Sequence, residues 1–275
     1  MDGEIAMEFF TWRDGAYVPS ELAISRWSPN QLNGVAVSGL LAREAETRSP
    51  GAGFVPARFT VDLFRPVRNE PITLDSAVVR AGNRITVADS WLQQNGETMA
   101  RATVVFLAAT EAPPGEVWQP AAQVPVPARR LDSPEGEPPL LKCGEDDWIT
   151  EFTFAPNADR KVTWHNLPAL VAGEPFTPFQ RAAATGDVTN LVCHWGTRGV
   201  GYINADMTLT LARLPIGQEL GLQALDHVAA DGVAVSTATL YDRTGRLGTC
   251  VITAVANAGR QIRVTAPNRV AATAD

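Results

Sequence analysis

The chain carries one structural unit written twice, about 149 residues apart, and any fold it adopts must accommodate that duplication. Phe59-Thr60-Val61-Asp62-Leu63-Phe64-Arg65-Pro66 aligns with Met207-Thr208-Leu209-Thr210-Leu211-Ala212-Arg213-Leu214, and the turn Asn95-Gly96 aligns with Thr244-Gly245. Similar β-branched and apolar runs follow the two turns, from Glu97 to Val105 and from Arg246 to Ala254. A period this long means duplicated domains, because solenoid repeats span only about 20–50 residues. In 275 residues with 45% hydrophobic content, duplication favours two cores of roughly 130 residues each.

Both copies show the same order of elements. In the first, Tyr17 to Trp27 reads as a strand region after the Asp14-Gly15 turn, and Asn33 to Glu46 reads as a helix with Val37, Leu40, Leu41 and Ala45 on one face. Phe59 to Phe64, Ile72 to Val79, Thr86 to Gln93 and Met99 to Ala108 then read as four strands, and Asn95-Gly96 is a strong hairpin signal. In the second, extended segments are expected around Trp148 to Phe154 and Lys161 to Trp164. A helix is expected from Thr177-Pro178 to Val192, with Thr177 as N-cap and Pro178 in the first turn. Ile203 to Ala212, Glu219 to His227, Gly232 to Tyr241 and Leu247 to Ala256 complete a second meander. A helix laid on one face of an antiparallel sheet buries both apolar faces, so the fold class is α+β. Expected boundaries are 1–110 for the first unit, a proline-rich linker over 111–140, 141–265 for the second unit, and a frayed tail over 266–275.

Charge and cysteine usage narrow the partners. A net charge of -7 argues against nucleic acid, whose phosphates an acidic surface repels. No stretch approaches the roughly 20 apolar residues needed to span a bilayer, and the acidic first residues lead into no secretory signal, so a cytoplasmic location is expected. Cys143, Cys193 and Cys250 are odd in number and form no Cys-x-x-Cys, which suggests neither a disulfide framework nor a zinc site. All three are expected to be reduced and packed.

Several segments carry a family resemblance: Pro56 to Val67, the strand pair about Asn95-Gly96, Ile203-Asn204-Ala205-Asp206-Met207-Thr208-Leu209, and Leu240-Tyr241-Asp242-Arg243-Thr244-Gly245. Together they resemble the duplicated hot-dog acyl-CoA thioesterases of the TesB-like branch, over nearly the whole chain. The resemblance implies two tandem hot-dog domains, each a sheet wrapped around a central helix, packed as an intramolecular pseudo-dimer with scope for a further homodimer. It implies hydrolysis of an acyl-CoA to free acid and CoA by a water that a carboxylate activates. Coenzyme A enters as part of the substrate, and no metal or other cofactor is implied.

The two copies differ where chemistry could sit. With the repeat aligned, Asp206 replaces Arg58, while Asp187 and Asn190 stand near the positions of Leu40 and Arg43. Asp206 matches the family's catalytic aspartate by resemblance, and aspartate is a poor strand former that needs a reason to open a β-branched run. Asp187 and Asn190 are three apart on one helix face. At the partner positions the chain departs from the family: Thr253 stands where a glutamine is expected, and Asp226 or His227 where a Thr or Ser is expected. The catalytic candidates are therefore Asp206, Thr253 and Asp187. Asn33, Gly34, Asn190 and His227 are the substrate-binding candidates, Asn33-Gly34 because a glycine at a helix start lets a thioester approach backbone N–H donors. An acyl-binding protein without turnover is the alternative, which the replaced glutamine favours. A hot-dog hydratase is disfavoured, because Asp-x-Asn-Pro-x-His is absent.

Overall fold

Asn33 and Thr177 each start a helix in the computed structural model, which describes residues 7–121, 123–133, 136–151 and 156–262. Asn33 caps α1 (Gly34–Glu46) by accepting the N–H of Ala36 at 2.8 Å, one of the first-turn donors a helix leaves without partners. Thr177 caps α2 (Pro178–Asp187) by accepting from the N–H of Gln180 at 3.2 Å. Small residues let the two helices pack closely: a Cβ on Gly39 would lie 2.8 Å from Leu170 and 3.3 Å from Ala184. One residue beyond α2 comes the short α3 (Thr189–His194). The helix expected to run unbroken to Val192 is divided there, because the N–H of Val188 bonds back to Gly186 and Thr185 and tightens the last turn.

The first copy opens with a hairpin of β1 (Glu8–Arg13) and β2 (Ala16–Pro19). Extended structure expected as far as Trp27 stops at Pro19. Ser20 redirects the chain by donating its hydroxyl to the carbonyl of Glu8 and accepting from the N–H of Leu22, which starts a short 3-10 turn over Glu21–Ala23. After α1 come β3 (Phe54–Leu63), β4 (Thr73–Arg80), β5 (Ile85–Gln94) and β6 (Glu97–Ala108), the four expected strands. Asn95 and Gly96 take φ of 53° and 77°, the left-handed pair that a two-residue hairpin turn requires.

In the second copy β7 (Glu137–Cys143), β8 (Lys161–Asn166) and β9 (Ala169–Val171) precede the helices. Then follow β10 (Trp195–Gly196), β11 (Gly199–Val200), β12 (Tyr202–Asn204), β13 (Asp206–Leu211), β14 (Leu220–Ala230), β15 (Val233–Asp242) and β16 (Gly245–Ala256). β7 begins within the proline-rich stretch read as linker. Pro138 and Pro139 are tolerated because β7 is an edge strand, and its pairing with β8 is irregular between Glu137 and Leu140. Ahead of it the linker straps onto the second unit. The carbonyls of Pro125, Pro127 and Arg129 accept from Tyr241 and Arg243, and the N–H of Leu131 donates to Glu219. Of the extended segment expected from Trp148 to Phe154, residues 148–151 make only a bridge between Ile149 and Leu141, and 152–155 lie outside the described residues. So does the tail over 266–275.

One 11-stranded sheet joins the copies, in the order β4-β5-β6-β3-β13-β16-β15-β14-β8-β7, with β12 also on β16. The junction is the antiparallel pair β3–β13, where Thr60 pairs with Thr208 and their hydroxyls lie 3.1 Å apart. Thr60 and Thr208 are repeat counterparts, so a pseudo-two-fold axis passes between them. Phe59, Val61, Met207 and Leu209 point inward to the helices, whereas Thr60, Asp206, Thr208 and Thr210 alternate outward to the convex face. A second tie crosses the copies where β1 pairs in parallel with β9. All three thiols are free; Cys143 and Cys250 are buried and Cys193 half-buried. Among the described residues no helix is long and apolar enough to cross a membrane.

Candidate active site

α1 and α2 run antiparallel, so the start of each meets the end of the other. At one of these meeting points lies a pocket of about 560 Å³, walled by apolar side chains of both copies, among them Ile24, Leu32, Val67, Leu191 and Ile203. Asn33, Gly34, Asp187 and Asn190 line it together, four of the seven candidates read from the sequence.

Asp187 ends α2 and sets its carboxylate against Gly34, the first residue of α1. A Cβ at position 34 would stand 2.3 Å from both carboxylate oxygens, so only glycine leaves room for the acid. Burial pushes the Asp187 carboxyl up to about 6, and a hydrogen bond from Asn204 Nδ2 at 3.0 Å to Oδ1 holds it from rising further. The N–H groups of Gly34 and Val35 have no acceptor within the helix and lie at the positive end of its dipole. The pocket thus joins an acid that ionises near neutrality to donors suited to an oxyanion.

A single-residue bulge determines which side chains reach this place. β12 pairs with β16 through Asn204 and Ala254, but β13 pairs through Thr208 and Val251, and Ala205 between them shifts the register by one. Asn204 consequently points inward to Asp187, while Asp206, two residues on, points to the convex face. There its carboxylate accepts the N–H of Thr253 at 2.9 Å and the Thr253 hydroxyl. Asp62 lies directly opposite on β3 and is paired with Arg101 at 2.7 Å. Asp206 and Thr253 are brought together, but neither lines the pocket.

Profiles of two known domains match the sequence: the acyl-CoA thioesterase N-terminal domain over residues 23–107 and the acyl-CoA thioesterase C-terminal domain over residues 125–255. The chain belongs to the double hot-dog acyl-CoA thioesterase family. Its fold is shared with a tesB protein from Mycobacterium avium subs paratuberculosis, 18% identical with a TM-score of 0.63 over 88% of this chain and 92% of that one. An acyl-CoA thioesterase II from Mycobacterium marinum is 17% identical, with a TM-score of 0.59 over 81% and 90% of the two chains. A conserved hot-dog protein from Alicyclobacillus acidocaldarius is 18% identical, with a TM-score of 0.60 over 88% and 91%. At these identities the likeness establishes the fold. No curated protein sequence matches the chain.

The last candidate of this thioesterase, His227, belongs to a support that reaches Asn190 from behind the pocket. Asn190 Nδ2 donates to the carbonyl of Tyr202 at 3.2 Å, so its Oδ1 accepts from His194 Nδ1 at 2.8 Å. His194 Nε2 then accepts the hydroxyl of Ser236 at 3.0 Å, and Ser236 Oγ accepts from His227 Nδ1 at 2.9 Å. Burial, with His227 nearby, lowers His194 to about 4 and keeps it neutral in this role. His227 therefore supports Asn190 from a distance and does not line the pocket. Asn204, His194, Ser236 and Tyr202 were not singled out from the sequence. Only Asn204 carried a signal, as the neighbour of Asp206 in the segment bearing the family resemblance.

At the pseudo-equivalent end of this thioesterase the helix junction is built differently. Pro178 stands where Gly34 does, and the Glu46 carboxylate fills the space, accepting from Thr177 Oγ1 and Gln180 Nε2, both at 2.8 Å. Arg43 flanks it with a two-pronged pair to Glu174 at 2.6 and 2.9 Å, and its guanidinium lies over Tyr17.

Proposed function

We propose that the chain hydrolyses an acyl-CoA to a free acid and CoA in the pocket between its two copies, with Asp187 as the carboxylate that activates water. The observation that carries this reading is the Asp187 carboxylate, raised to about 6 and seated against the first turn of α1 within an apolar pocket. Above that pH the carboxylate is ionised and accepts a proton from water as the water oxygen bonds to the thioester carbon. Asn204 holds Oδ1, which leaves Oδ2 for the water. The carbonyl oxygen gains negative charge and is stabilised by the N–H groups of Gly34 and Val35, an arrangement worth about 3–4 kcal/mol per donor in other acyl-transfer sites. The tetrahedral intermediate collapses by breaking the C–S bond, and protonated Asp187 returns its proton to the leaving sulfur. In this reading Asp206, with both oxygens held by Thr253, fastens β13 to β16 and takes no part in the chemistry.

Free-thiol release from a panel of short to long acyl-CoAs tests the proposal, with wild type beside Asp187→Ala and Asp206→Ala after each is checked for folding. Turnover lost in the first variant and retained in the second supports it. The converse would move the chemistry to the convex face, and tight acyl-CoA binding without thiol release by wild type would favour the acyl-binding alternative.

A further inference from the structure

We infer that Arg26, Arg65 and Arg68 form a rim that binds the phosphates at the nucleotide end of the CoA thioester; the inference rests on the reaction assigned above to the neighbouring pocket. Gln31, Arg65 and Pro66 line both that pocket and a second, polar groove of about 670 Å³. The two cavities thus adjoin across these three residues, and the groove is the more polar of the two. An acyl chain is matched by the apolar walls around Asp187, and a phosphorylated nucleotide by the groove, where Arg65 and Arg68 stand with Asn30, Asn69, Glu70 and Glu97. Arg26 stands exposed on the pocket side of the same rim.

Two features make this rim a built site rather than three scattered cations. The loops that bear the arginines are laced together by backbone bonds, Leu32 N–H to Val67 at 2.8 Å and Asn69 N–H to Asn30 at 3.1 Å. Buried Gln94 clamps the same turn, accepting the N–H of Arg68 at 2.8 Å and donating to the carbonyls of Arg68 at 2.9 Å and Glu70 at 3.0 Å. The guanidinium groups are also available. Arg65 and Arg68 are 61% and 64% exposed, and their pairs with Glu97 at 3.2 Å and Glu70 at 3.9 Å are of the solvent-exposed kind that contribute little. Phosphate accepts paired N–H bonds from arginine and competes well for them. In a chain of net charge -7 the three arginines outnumber Glu70 and Glu97 here, which leaves the rim locally positive, as a polyanionic ligand needs.

The test compares acyl-CoA with the same acyl group on pantetheine, which lacks the phosphates, and measures CoA binding directly by calorimetry. In the triple variant Arg26→Ala, Arg65→Ala, Arg68→Ala, the preference for acyl-CoA over acyl-pantetheine, as a ratio of kcat/KM, should fall by about tenfold or more. CoA affinity should fall in parallel, whereas Arg80→Ala at the far edge of the sheet should change neither. Glu97→Gln should tighten CoA binding, and wild-type KM for acyl-CoA should rise with ionic strength. An unchanged preference together with unchanged CoA affinity in the triple variant would overturn the rim. So would a wild-type preference for acyl carrier protein that depends on the same arginines. If wild type hydrolyses neither thioester yet loses CoA affinity in the triple variant, the rim stands and the proposed hydrolysis falls.

Discussion

Replacing Asp187 by Asn should make the protein more stable and less active at once. Burial raises the Asp187 carboxyl from 3.8 in the unfolded chain to about 6 in the folded one. The unfolded chain therefore ionises first as pH rises. Folding loses nothing to this group below pH 3.8, loses progressively more as pH climbs toward 6, and bears the full penalty above that. The rise from 3.8 to about 6 corresponds to about 3 kcal/mol as an upper bound, and the partial solvent exposure of Asp187 reduces it to about 2 kcal/mol. Asparagine has the same shape and keeps an oxygen to accept from Asn204, so it removes the charge without opening a cavity. Urea unfolding should show Asp187→Asn more stable than wild type by about 2 kcal/mol at pH 8, with the gain shrinking toward zero near pH 4. Its kcat should drop by about 10²–10⁴, the range for loss of a general base. Wild-type kcat/KM should rise with pH through one ionisation near 6. A variant that is destabilised at pH 8, or stabilised equally at both pH values, would refute the claim that this carboxyl is desolvated.

Gly34→Ala would drive a methyl group to 2.3 Å from the Asp187 carboxylate, and it should lower kcat by about tenfold or more and cost about 1–3 kcal/mol, as read by steady-state kinetics and thermal melting. Asp206→Ala strands the N–H of Thr253 and should cost about 1–2 kcal/mol while kcat stays within about threefold; a hundredfold loss of kcat would contradict the assignment. A double-mutant cycle of Thr60→Val and Thr208→Val should return a coupling of about 0.5–1 kcal/mol at the sheet junction. Burial alone would raise the Asp242 carboxyl, but bonds from Arg213, the N–H of Ile216 and Thr244 outweigh it and hold it far below the usual range. Its stabilisation is therefore present above the unfolded value of 3.8 and fades below it, so Asp242→Asn should cost about 3 kcal/mol at pH 7 and flatten the acid limb of the stability curve.

The elements that repeat with a clear period were legible in the sequence: α1 with its small-residue face, the four-strand meanders, and the tight turn at Asn95-Gly96. Site residues on one local segment, Asn33-Gly34 and Asp187 with Asn190, were legible as candidates. Their convergence was not, because it depends on two helices packing antiparallel across the repeat. The Asp187 alignment slipped for a related reason. The paired threonines stand 148 residues apart, but the two N-caps, Asn33 and Thr177, stand 144 apart, so Asp187 falls opposite Arg43 and Asn190 opposite Glu46. Most concealed was the bulge at Ala205. Regular alternation places Asn204 and Asp206 on one face, and one extra residue, unmarked by glycine or proline, sends them to opposite sides of the sheet.

The opposite helix junction, with Pro178, Glu46 and the Arg43–Glu174 pair, bears on stoichiometry. A symmetric homodimer of single units must build both of its ends from one sequence, so whatever improves catalysis at one is imposed on the other. Tandem copies in one chain escape that constraint. Here one helix-end junction holds a costly, desolvated acid beside a glycine, while its twin is a fully bonded clamp that keeps the same helices in place. Each chain should accordingly take up one equivalent of ligand, half of what its internal symmetry would suggest.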